Sequence, residues 1–251
     1  MNIEELKERF KKHALNYDMN DTAIVRKFYH SYRVMDYCML LAKYNNFNDE
    51  DTKIAMLVGL LHDYARFEQW TKYKTYSDIN SIDHGDLAVQ RLFDDNEIKD
   101  YCTNKNYYDE IYDAIKYHNK YDYPDDLSEH NKLLCKIARD ADKLDIFYLL
   151  GINKDLMEED SNLISDKISE DFYNNKSLNY IDVKNKCDKI VLILAMVFDL
   201  NFKYSYEYLK EYKLIEKIYD NIENKNKFKS YFDYAIKYIE ERSKWYVRKK
   251  I

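Results

Sequence analysis

GLLHDYARFE (59–68) closes an apolar run with a histidine set directly against an aspartate. Upstream, DTKIAMLVGLLHDYARF (51–67) reads as one continuous helical segment whose leucines belong in a core. Leu60 and Leu61 therefore deliver His62 and Asp63 to the edge of that core. Such side chains are tolerated there only when hydrogen-bonded, paired or coordinated to a metal. The partners must come from elsewhere in the chain.

At 251 residues the chain can bury a sizeable core as one domain, or at most as two small ones. Charged residues make up 34% and apolar residues 46%, the balance of a soluble globular protein. Glycine occurs 3 times and proline once, too few for the turns of a sandwich or barrel; this favours helices joined by polar loops. The formal charge is −6 with no long basic run, which argues against an extended nucleic-acid or anionic-membrane surface and leaves room for a local phosphate pocket. Cys38, Cys102, Cys135 and Cys187 are widely spaced and form no CxxC pair, as expected of reduced intracellular thiols. The N-terminal MNIEELKERFKKH is charged and amphipathic, without a signal-type apolar stretch. IVLILAMVF (190–198) is too short to span a bilayer, so a cytoplasmic location is expected.

Helical periodicity runs through the rest. Ile3, Leu6 and Phe10 space a first short helix, and VRKFYHSYRVMDYCMLLAKY (25–44) repeats apolar positions at Val34, Tyr37, Cys38 and Leu41. DHGDLAVQRLFDD (83–95) offers Asp83 as an N-cap, and YYDEIYDAIKYH (107–118) places Ile111, Ile115 and His118 on one stripe. Pro124 marks the turn before NKLLCKIARDADKLDIFYLL (131–150). Residues 151–180 are polar and loosely patterned, reading as a loop-rich cap, and further amphipathic helices close the chain. The basic KWYVRKK (244–250) complements the C-terminal end of a last helix. One all-α domain over 1–251 is the expectation.

Of the six histidines, four face inward or flank a close backbone approach. His30 shares the stripe of Val34, Tyr37 and Leu41, His62 follows the leucines, His118 extends the Ile111–Ile115 stripe, and His84 stands beside Gly85 at a helix start. His13 and His130 lie among charges and read as solvent residues. Imidazoles with carboxylates suit Zn, Mn, Fe, Ni or Co, and one bridging aspartate can serve two ions. A closing acid should come from ARDADKLD (138–145), where spacing favours Asp145 as most inward and sets Asp142 at the stripe's edge; Asp140 lies in the same run.

Assembled as H…HD…H…H…D, the chain resembles the HD superfamily of metal-dependent phosphohydrolases over roughly Lys27 to Leu150. HSYRV (30–34) is similar to the family's opening histidine segment, and LLHDYARFE (60–68) to its LLHDIGRFE signature with Tyr64-Ala65 in place of Ile-Gly. SIDHGDLAVQRL, AIKYHNKYDYP and RDADKLD resemble its remaining histidine regions and closing aspartate. The resemblance implies an all-α HD-type core over about 27–150 with a helical extension over about 151–251. It also implies one metal on His30, His62, Asp63 and Asp142, and a second on His84 and His118 with Asp63 bridging. Asp142, rather than Asp145, matches the family's closing ligand. Two-metal phosphodiesterases of the family often carry adjacent histidines followed by Gly-Tyr-Pro, where this chain has His118-Asn119 and only Tyr123-Pro124.

The activity implied is hydrolysis of a nucleotide-like or small phosphate ester, mono- or diester, with one or two divalent ions (Mn, Fe, Ni, Co or Zn, Mg being possible). Arg66, one turn past His62-Asp63, would face the pocket and clamp phosphate, and Lys143 would add a second cation to the substrate site. A di-iron oxygenase of the same superfamily and a non-catalytic metal- or nucleotide-binding module are the alternatives. Oligomeric state is left open by the sequence.

Overall fold

The computed structural model describes residues 2–154, 160 and 162–244, and every regular element among them is helical. The helices are α1 (Ile3–Ala14), α2 (Thr22–Tyr44), α3 (Asp49–Leu61), α4 (Arg66–Tyr73), α5 (His84–Val89), α6 (Tyr108–Tyr117) and α7 (Glu129–Ile152). They continue with α8 (Asp166–Tyr173), α9 (Lys186–Ala195), α10 (Lys203–Glu211), α11 (Leu214–Asp220) and α12 (Lys229–Lys244). No helix among the described residues is long and apolar enough to cross a membrane. The basic tail, beyond Lys244, and residues 155–159 and 161 of the expected cap lie outside the described residues. The chain divides within α7 into two compact units, Met1–Asp142 and Lys143–Ile251.

In the first unit α2 and α3 pack along each other. Asp21 caps α2 by accepting from the Ala23 amide at 2.9 Å, and Asn48 caps α3 by accepting from the Glu50 and Asp51 amides, both at 2.9 Å. Asp49, Glu50 and Asp51 add negative charge at the positive end of the α3 dipole. From Ile54 to Leu61 every α3 residue is buried, so this helix is enclosed on all sides. Gly59 permits that enclosure, because a Cβ there would stand 2.8 Å from Met35 Cα and 2.9 Å from Val34 O. A second close approach sits at Gly85, whose Cβ would meet Asn119 Oδ1 at 2.6 Å and Lys116 O at 2.9 Å. The start of α5 is thereby set against the end of α6.

α1 buries Leu6, Phe10 and Ala14, with the Phe10 ring 6.0 Å from Phe28 and 5.8 Å from Phe67. His13, expected in solvent, is drawn into this cluster and stacks on Tyr64 at 3.8 Å. The reason is spacing: residue 13 lies one turn past Phe10, on the face that docks. His130 keeps 41% of its side chain exposed and pairs with Glu110 at 2.8 Å.

Within the second unit, the stretch read as loop-rich contains α8. Its Phe172 is fully buried, 5.0 Å from the Phe198 ring and 5.2 Å from Tyr231. Asp188, in the first turn of α9, ties the preceding segment down by accepting from Ser165 N, Ser165 Oγ and Lys184 N at 2.7, 2.8 and 3.0 Å. All four cysteines are buried free thiols.

Candidate metal centre

Five elements of the first unit bring side chains to one place. His30 comes from the inward face of α2, His62 and Asp63 from the end of α3, His84 from the start of α5, His118 from the end of α6 and Asp142 from α7. The four histidines and Asp63 are buried.

His62 and His118 each occupy the C-cap of their helix and use the same local device. His62 Nδ1 donates to Gly59 O at 2.8 Å, and His118 Nδ1 donates to Ile115 O at 2.6 Å. Those carbonyls are among the ones a helix end leaves open. A carbonyl only accepts, so the proton sits on Nδ1 and Nε2 presents a lone pair. His84 Nδ1 donates to Asp78 Oδ2 at 2.6 Å with the same consequence.

Ring nitrogens then face one another. His84 Nε2 and His118 Nε2 are 2.9 Å apart, and His30 Nε2 and His62 Nε2 are 3.2 Å apart. At His84 and His118, both bare at Nε2, such a distance is repulsive unless a cation is shared between them. Ligands about 2.1 Å from an ion lie about 3.0 Å apart at right angles and about 3.4 Å apart in a tetrahedron. The donor set therefore fits metal ions.

Asp63 addresses both groups. Its Oδ2 is 3.3 Å from His30 Nε2 and 3.4 Å from His62 Nε2, while its Oδ1 is 3.4 Å from His84 Nε2. Asp142 Oδ1 completes the first group at 3.1 Å from His30 Nε2 and 3.8 Å from His62 Nε2. His30, His62 and Asp63 form one group able to hold an ion, and Asp63, His84 and His118 form another. Asp140 and Asp145 are both fully buried, whereas Asp142 is 22% exposed. Burial in α7 thus follows the apolar spacing, and the acid at the stripe's edge reaches the histidines.

Electrostatics favour the ionised carboxylates and, at His84 and His118, the neutral imidazole. Burial pushes the Asp63 carboxyl up, but the Lys27 ammonium, 2.6 Å from Oδ2, together with His62 and His30, holds it well below the usual range. Burial likewise opposes ionisation of Asp142, and the hydrogen bond and charge of His30 overcome it. Burial lowers His84, with Arg66 adding to the effect, and lowers His118 further beside His84 and His62. Neutral imidazoles and ionised carboxylates are the states that ligate.

Around this set lies a shell that sequence reading reached only in part. Arg66 Nε donates to Asp63 Oδ1 at 3.2 Å, and its Nη1 donates to Gln69 Oε1, Tyr76 O and Asp78 Oδ1 at 2.5, 2.8 and 3.0 Å. Lys143, in the second unit, is ion-paired with Asp199 at 2.8 Å. Arg139 donates from α7 to Tyr117 O at 3.2 Å and to Lys120 O, bracketing His118. Lys27 was readable, since it lies one turn before His30 on α2. Asp78 and Asn119 sit outside any periodic pattern, and only the folded chain brings them in.

Residues 28–146 match the family model of the HD domain. The chain carries an HD domain over these residues. Within that domain fall all the histidines and aspartates of the centre, with α7 closing it at Asp142. HD domains are all-α, and most belong to metal-dependent hydrolases, consistent with the helical architecture and the two His/Asp groups. No curated protein and no solved structure matches the chain.

Proposed function

We propose that this HD-domain protein is a metal-dependent phosphohydrolase acting on a small phosphate ester or nucleotide through a dinuclear centre. The observation that carries the reading is Asp63, whose two carboxylate oxygens face two separate histidine pairs. His30, His62, Asp63 and Asp142 would hold one divalent ion, and His84, His118 and the other oxygen of Asp63 a second. Mn, Fe, Ni, Co or Zn suits this nitrogen-rich set, with Mg less matched to imidazole. Such ions supply Lewis acidity, activating water near neutral pH and stabilising charge on a phosphoryl oxygen.

The chain's own cations do the rest. Arg66 is fixed by four acceptors, so its guanidinium is a standing positive charge beside the centre that attracts an anionic ester. Lys27 has a flexible stem and a side chain 19% exposed. Once bound ions share the charge of Asp63, its ammonium is available to a phosphate oxygen. Burial of the imidazoles excludes bulk water from the ligand side of the site.

The test starts from protein purified without added metal. Metal content should approach two ions per chain, and His84→Ala or His118→Ala should lower it toward one with loss of most turnover. A panel of nucleoside monophosphates, cyclic nucleotides and small phosphate esters, run with Mn, Ni, Co and Mg, is expected to show hydrolysis. Absence of hydrolysis with every metal, together with iron-dependent oxygen consumption, would replace this reading with an oxygenase.

A further inference from the structure

We infer that Asp78 is a positioning residue of the centre, orienting His84 and Arg66 around Asp63 and so setting the affinity of the second site. This rests on the two-ion reading above. Asp78 precedes His84 in a segment whose described regular feature is one 3-10 turn, Asp78–Asn80, so helix geometry does not place it. The placement comes from Gln69. That side chain is fully buried on α4, and its Nε2 donates to Asp78 Oδ1, Ser81 Oγ and Ile82 O, each at 2.9 Å. A buried amide thus pins the segment from Asp78 to Ile82.

Asp78 then holds two members of the centre, one with each oxygen. Oδ2 accepts from His84 Nδ1 at 2.6 Å and from Asn119 Nδ2 at 3.2 Å, while Oδ1 accepts from Arg66 Nη1 at 3.0 Å. Arg66 Nε in turn donates to Asp63 Oδ1, which lies 3.4 Å from His84 Nε2. The circuit His84–Asp78–Arg66–Asp63 closes on itself. Each partner of Asp78 is a donor, so only an acceptor-only side chain satisfies them all. With Nδ1–H bound to Asp78, His84 must present a bare Nε2 toward Asp63 and His118. A carboxylate behind a ligating histidine fixes its tautomer and ring orientation, and loss of such a group costs roughly 10–100-fold in metal affinity.

The experiment compares wild type with Asp78→Ala and Asp78→Asn. In metal-free protein at pH 8, the imidazole nitrogen shifts of 15N-histidine-labelled samples report which ring nitrogen carries the proton, with His84→Ala identifying the resonance. Wild-type His84 is expected to be protonated at Nδ1, and Asp78→Ala to shift toward a tautomer mixture. In Mn titrations by calorimetry, the first ion should bind the variants as in wild type and the second roughly 10–100-fold more weakly. Asp78→Asn, which cannot accept from both sides, should behave like Asp78→Ala. Circular dichroism and melting of the metal-free variants separate this from general unfolding. An unchanged His84 tautomer in a folded Asp78→Ala protein overturns the positioning role, as does unchanged affinity for the second ion. Wild type that takes only one ion overturns the two-ion reading instead, and the metal-free spectrum then decides the orienting role alone.

Discussion

At the scale of single residues, neighbours in one run of sequence do different work. Asp140, Asp142 and Asp145 share a helix, and Asp142 lies 3.1 Å from His30 Nε2 and 3.8 Å from His62 Nε2. Asp142→Ala is expected to abolish the first ion, measured as metal per chain, while Asp140→Ala and Asp145→Ala cost stability first because both are fully buried. A greater loss of metal from Asp140→Ala would mean that the closing aspartate is misassigned. His13 carries a different prediction. Burial beside Tyr64 lowers its pKa to about 4 from 6.5. Between those values the unfolded chain binds more protons than the folded one, so stability is full above pH 6.5 and falls as pH drops toward 4. The slope from this residue is at most about 1.4 kcal/mol per pH unit. His13→Phe keeps a ring against Tyr64 and should flatten the pH dependence of urea unfolding between pH 7 and 5; an unaltered slope would refute the assignment.

Among elements, two glycines and the helix ends govern how the centre is built. Gly59→Ala places a methyl against Met35 Cα and Val34 O, backbone atoms that cannot step aside. About 1–3 kcal/mol of destabilisation is expected, read as a melting temperature several degrees lower. Because Gly59 O also accepts from His62 Nδ1, the same variant should weaken the first ion. Gly85→Ala acts on the other half, pressing on Asn119 and Lys116 O, so the second ion should suffer instead. Metal titration of the two variants tests this division, and equal losses at both sites would show that α5 and α6 do not set the second site separately. The C-cap histidines make a related point. A helix that ends on histidine can satisfy one of its own open carbonyls with Nδ1–H and still aim Nε2 outward.

For the molecule as a whole, ions that bind the folded centre and not the unfolded chain add stability by mass action, about 2.7 kcal/mol per site at a hundredfold excess over Kd. Chelation of both ions is therefore expected to lower the melting temperature by roughly 10–20 °C, with recovery on adding Mn and none on adding Ca. A melting curve indifferent to chelator would remove the metal from the account. Helical class was legible from scarce glycine and proline and from the apolar stripes, because those depend on local sterics and side-chain period. The candidate donors were legible too, since four histidines with an HD pair in apolar surroundings suit a metal ion. Spacing ranked the acids of α7 by burial, and Asp145 is indeed buried, but it left the ligand open, because ligation depends on what lies opposite. Lys27 lay within reach of helical spacing, whereas Asp78, in a stretch with no period, did not. His13 left the solvent because α1 docks, which no local pattern records. The sequence by itself set the helices and the chemical identity of the donors, both properties of neighbouring residues. Only the tertiary structure decided which donors meet, because that depends on close approaches at Gly59 and Gly85 and on an aperiodic segment pinned by Gln69, contacts made between parts of the chain that share no local order.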